Sequence, residues 1–288
     1  MRGLVAAVLL LAAVSAHAER REERVPTARL PAPVPVTVWT PPSYAASPGR
    51  RYPVLYFLHD GGGDEAVLYR QGVVDALAKD MAAGTTPELV LVCPRGTGTW
   101  WVDGKSGLRM ATFLSEDLVP WVEAHYRTRA SRGGRLVLGV SMGGYGAFRW
   151  ALARPDLFAA AGGLSPAIEP LSLPAVEAMP FFIRPSLESV FGSDPLDNVI
   201  RANDLYQVLL DDPTLAGRAP FLSVRCGTED KYRLAEMSAF FDRFLSAFDA
   251  PHDVTLETGV HDWPYWRRVL PDFVRTLARH LAPSGGAP

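Results

Sequence analysis

Three residue types in this chain could together move a proton and attack a carbonyl: a serine between glycines, a later histidine and an acid between them. The serine is Ser141 in Gly139-Val140-Ser141-Met142-Gly143. It follows the apolar run Leu136-Val137-Leu138 and precedes the small-residue stretch Gly144-Tyr145-Gly146-Ala147. A serine hydroxyl is a weak nucleophile until a base takes its proton, and a sharp strand-to-helix turn lifts its oxygen clear of the backbone. Glycines flank it where a side chain would meet the neighbouring strand or helix. As a bare pattern the motif also fits a simple connecting turn; in this context it points to a nucleophile.

A nucleophile of this kind needs a histidine further along the chain and a carboxylate between the two. Three histidines follow Ser141. His280 lies in a helical C-terminal stretch, and His252 precedes the apparent strand Val254-Thr255-Leu256, whereas His261 comes just after it. Parallel α/β sheets gather their chemistry at the carboxyl ends of strands, which selects His261 as general base. The run Phe221 to Cys226 leads into Gly227-Thr228-Glu229-Asp230, so Asp230 is the expected acid, with Glu229 as the adjacent alternative. Its task is to hold the imidazole in the tautomer that accepts the serine proton.

Backbone amides are the natural donors to a developing oxyanion. The Met142 amide follows the nucleophile, and the turn His59-Asp60-Gly61-Gly62-Gly63 after Tyr52 to Leu58 offers Gly61 as the second. Three successive glycines could also cradle phosphate, but no Lys-Ser or Lys-Thr follows, and Asp60, Asp64 and Glu65 would repel it.

The elements that must position these residues read as an α/β alternation. Strands are expected at residues 52–58, 89–93, 135–140, 158–163, 221–226 and 253–257, as the continuous apolar runs of a mostly parallel sheet covered by helices on both faces. Helices are expected at 65–82, 113–126, 142–153, 231–248 and 264–281, and Val34 to Thr40 as an antiparallel edge. The proline-rich stretch 165–219, with Phe181-Phe182, reads as an insert shaping the pocket. Trp100-Trp101 and Trp263, Tyr265 and Trp266 are either packing or faces for a substrate ring.

Composition narrows the function. The 288 residues carry 48% hydrophobic residues and a formal charge of -2, enough for one large core and no basic field for nucleic acid or anionic membrane. No H-E-x-x-H, repeat or heptad array is present, so no metal, no cofactor and no nucleic-acid partner is expected. Arg2, the eleven apolar residues Leu4 to Val14 and Ala16-His17-Ala18 have the form of an export signal over residues 1–18, too short for the roughly twenty residues of a membrane span. A periplasmic or secreted protein, not held in the membrane after cleavage, is the expectation. Residues 19–33 read as a polar lead-in, 34–282 as the folded domain and 283–288 as a loose tail. Cys93 and Cys226 each end a strand, where small apolar residues pack, and free thiols are expected.

These residues resemble the esterase D and antigen 85 branch of the α/β-hydrolases, which also holds S-formylglutathione hydrolases and secreted feruloyl and acetylxylan esterases. The resemblance runs from Tyr52-Pro53-Val54-Leu55-Tyr56 and His59 through Phe113 to Pro120, Tyr126-Arg127 and Ser141-Met142-Gly143-Gly144, to Gly227-Thr228-Glu229-Asp230 and His261 to Trp266. It implies an α/β-hydrolase fold with Ser141, Asp230 and His261 as triad and the Gly61 and Met142 amides as oxyanion donors. Asp60 departs from the glycine that many relatives carry there. The implied activity is a serine carboxylesterase acting on a small-molecule or carbohydrate-linked ester through an acyl-enzyme. An acyltransferase passing the acyl group to a sugar hydroxyl and a non-catalytic binding protein are the alternatives.

Overall fold

The computed structural model describes residues 19–96, 98–168, 183–194 and 198–283. The expected export signal, Phe181-Phe182 and most of the C-terminal tail lie outside the described residues. Six strands form the parallel part of the sheet: β3 (Val54–Leu58), β4 (Val90–Pro94), β5 (Arg135–Val140), β6 (Ala160–Leu164), β7 (Phe221–Gly227) and β8 (His252–Glu257). Their order is β4-β3-β5-β6-β7-β8. Every residue of β3 to β6 is buried. Successive residues of β3 serve opposite faces, Tyr56 in one apolar cluster and Phe57 in the other, as a pleated strand between two helical layers requires. The α/β architecture read from the sequence is therefore the observed one.

Two antiparallel strands extend the sheet beyond β4. β2 (Val34–Thr40) pairs with β4, and β1 (Glu19–Val25) pairs with β2 along its whole length. The edge is thus β1, in the segment read as a lead-in, and β2 lies one strand in. Glu-Arg-Arg-Glu-Glu-Arg-Val has no apolar alternation, so its sequence carries no strand signal. Its charges suit an outermost strand, where they discourage pairing with another chain, and the Tyr126 hydroxyl donates to Glu23 at 2.7 Å.

The helices are α1 (Val67–Arg70), α2 (Val73–Ala82), α3 (Met110–Thr112), α4 (Val119–His125), α5 (Met142–Ala153), α6 (Arg184–Phe191), α7 (Asn198–Asn203), α8 (Leu205–Asp211), α9 (Leu215–Arg218), α10 (Leu234–Ala247) and α11 (Trp263–Ala278). The helix expected at 65–82 is broken by Gly72, whose φ of 70° cannot continue a right-handed turn. That at 113–126 begins as a π-helix, Phe113–Leu118, before α4. Pro120 explains the widening, since its ring lacks an N–H and would press on the carbonyl four residues back.

Candidate active site

Ser141 stands between β5 and α5 with φ 55° and ψ -117°, a conformation costing a side-chain-bearing residue about 1–3 kcal/mol. The surroundings hold it there. Its N–H donates to Leu164 O at 2.9 Å, and its own carbonyl accepts from Gly144 at 3.0 Å and Ala167 at 3.2 Å. A Cβ on Gly139 would sit 2.0 Å from Gly143 O, and one on Gly143 would sit 2.0 Å from Leu58 O. Glycine at both positions lets β3, β5 and α5 approach closely enough to form the turn.

His261 follows β8, and its Nε2 lies 3.0 Å from Ser141 Oγ. Its Nδ1 lies 2.7 Å from Asp230 Oδ2, on the turn after β7. An ionised carboxylate only accepts, so Nδ1–H donates and Nε2 is left bare to accept the serine proton. Asp230 is itself fixed, accepting from the Tyr232 N–H at 3.0 Å. Its side chain is fully buried and that of His261 is 9% exposed. The structure therefore brings together the three residues the sequence singled out. It places Glu229 at the exposed surface, His252 against Ala250 O and His280 on the Phe221 ring.

The turn after β3 is braced from beneath. His59 is fully buried; its Nε2 accepts from the Gly96 N–H at 3.0 Å and its Nδ1 lies 2.7 Å from Asp60 O. The first bond requires a bare Nε2, so Nδ1–H donates to Asp60. Burial holds the imidazole below its usual pKa, against the opposing pull of Asp60, Asp64 and Glu65. Trp101, also fully buried, meets the His59 ring edge-on at 4.8 Å and donates from Nε1 to His59 O at 3.3 Å. Gly61 and Met142 border the same pocket as Ser141, whose volume is about 640 Å³.

A family model described as “Putative esterase” matches residues 27–277. The chain belongs to this esterase family. The match bears out the resemblance read from the motifs. Over 136 residues the chain is 40% identical to an esterase of Mycobacterium tuberculosis, covering 45% of this chain and 28% of that protein; it thus spans under a third of that relative's length. Among solved structures, a ferulic acid esterase aligns with a TM-score of 0.77 at 22% identity, covering 92% of this chain and 99% of the other. A fluorophosphonate-binding serine hydrolase F from Staphylococcus aureus does so with a TM-score of 0.77 at 22% identity, covering 91% and 98%. At that identity the likeness is one of fold.

Several features of this esterase-family site were not singled out from sequence. Tyr232 and Trp266 each meet the His261 ring edge-on, at 4.8 Å and near 90°. Trp266 is anchored by donating to Ser165 Oγ at 3.1 Å. Of the aromatic residues noted in the sequence, Trp101 and Tyr265 are core alone, Trp100 and Trp266 are buried yet border the pocket, and Trp263 borders it while partly exposed. Trp100 donates to Ser186 at 3.0 Å, and Ile183 and Ser186 come from the stretch 165–219. The signal for Tyr232 was its place two residues after the acid.

Proposed function

We propose that this chain hydrolyses carboxylic esters through an acyl-enzyme on Ser141. The observation that carries the reading is the continuous hydrogen-bond chain from Ser141 Oγ through His261 to Asp230, bordering a pocket large enough for a small ester. His261 Nε2 takes the serine proton as Oγ attacks the carbonyl carbon. Asp230 stabilises the imidazolium, and the Gly61 and Met142 amides stabilise the oxyanion. Collapse breaks the ester C–O bond, and His261 returns the proton to the departing alcohol. Water then repeats the sequence and frees the acid.

Membership of the esterase family supports the reaction class, and the substrate is an ester of a small molecule or a carbohydrate. The pattern at residues 1–18 supports work outside the cytoplasm, which fractionation of the native protein tests. Replacing Ser141 with Ala should lower hydrolysis of p-nitrophenyl acetate by at least about a thousandfold while circular dichroism stays unchanged. Retained activity in the purified variant rejects the reading.

A further inference from the structure

We propose that Asp60 and Asp262 make the pocket at Ser141 a charge filter, admitting neutral and cationic esters and disfavouring anionic ones; this rests on the esterase reading above. Asp60 and Asp262 both line the pocket, and no Lys or Arg does so among the described residues. Asp60 is held in place because its carbonyl is gripped by His59. Its Oδ1 is buried without a hydrogen-bond partner, and no described residue forms an ion pair with it. Asp262 caps α11, its Oδ1 accepting from the Tyr265 N–H at 2.9 Å.

Two arginines near the turn after β3 are paired with other acids. Arg70 pairs with Asp64 and Arg95 with Glu65. Lys231 is exposed, 5.0 Å from the centre of the Tyr232 ring. Residues 169–182 contain Glu169 and Glu177 and neither Lys nor Arg, so that stretch can add no positive charge. The two carboxylates differ in compensation: Asp262 caps α11, whose N–H and partial positive charge offset part of its field, whereas Asp60 Oδ1 has no hydrogen-bond partner. Asp60 therefore dominates the filter. Trp100 and Trp263 also border the pocket, and aromatic rings attract a cation.

The test uses three p-nitrophenyl esters of equal acyl length ending in a methyl, an ammonium or a carboxylate group, with kcat/KM measured at low salt. Comparing ratios within each enzyme cancels any general change in rate, including easier oxyanion formation once a nearby charge is removed. In the wild type the carboxylate ester should fall about tenfold or more below the methyl ester. Asp60→Asn should shrink that ratio severalfold, and Asp262→Asn should shrink it less while keeping the helix cap, since Asn caps as well as Asp. A wild-type ratio near one, or a ratio unmoved by Asp60→Asn, overturns the filter while leaving the esterase reading intact. If none of the three esters is hydrolysed, the esterase reading fails. Quenching of pocket tryptophan fluorescence by the matched amides then decides the filter: tighter binding of the ammonium amide than the carboxylate amide in wild type, lost in Asp60→Asn, supports it, and charge-independent binding overturns it.

Discussion

At the scale of single residues, two imidazoles depend on the same rule: a partner that can only accept or only donate decides which ring nitrogen carries the proton. For His261 that partner is Asp230. An Asp230→Asn side chain can offer its amide N–H to Nδ1, which puts the hydrogen on Nε2 and leaves nothing to accept the serine proton. The expected result is a kcat lowered by at least about a thousandfold with the fold retained, checked by steady-state kinetics beside circular dichroism. For His59 the partner is the Gly96 N–H, which protonation of the ring would displace. The folded chain holds His59 below the ordinary value of 6.5, because burial disfavours its charge. Below that pH the unfolded chain binds a proton that the folded chain does not, so stability falls as pH drops from about 6.5 until the folded-state value is reached. His280, lowered by burial as well, contributes with the same sign. Thermal melts from pH 7.5 to 5 should show a falling Tm, with a shallower slope in His59→Gln. Ser141, Asp230 and His261 were legible because each follows a strand in the required chain order. The role of His59 was not, because its tautomer is set by an amide 37 residues away.

At the scale of elements, the turns that carry Asp230 and His261 are joined backbone to backbone. The Thr228 N–H donates to Glu257 O at 2.9 Å and the Glu229 N–H to Gly259 O at 3.0 Å. A Cβ on Gly227 would lie 2.3 Å from Gly259 O, a backbone atom that cannot swing aside. Gly227→Ala should therefore push the two turns apart, costing about 1–3 kcal/mol in stability and up to about a hundredfold in kcat. Gly49→Ala, with open space around the new Cβ, should change neither. Chemical denaturation and kinetics on both variants check this. The buried parallel strands were readable because a strand covered on both faces is apolar at every position, as in Val54–Leu58. β1 was not, because an edge strand is specified by its partner's hydrogen bonds and its own side chains remain polar. The breaks at Gly72 and before α4 lie in stretches whose apolar spacing reads as continuous helix.

At the scale of the whole molecule, the order of the strands decides what can meet. Cys93 on β4 and Cys226 on β7 are separated by β3, β5 and β6, and both thiols are free and buried. Burial raises the Cys93 thiol well above its usual pKa and pushes Cys226 up to about 12, so neither presents a thiolate near neutral pH. The folded protein should give no reaction with a thiol reagent such as DTNB, two thiols should appear on denaturation, and Tm should be insensitive to reductant. The same strand order carries the turns after β3, β5, β7 and β8 to one end of the sheet, where residues 120 positions apart, Ser141 and His261, come within hydrogen-bond distance. The sequence by itself determined the fold class and singled out Ser141, His261 and Asp230 as the residues that meet, because buried strands and a glycine-flanked serine leave local signatures. Only the tertiary structure decided the bracing of the turn after β3, which tryptophans border the pocket and the presence of Asp60 and Asp262 beside it, because each depends on contacts between segments distant in the chain.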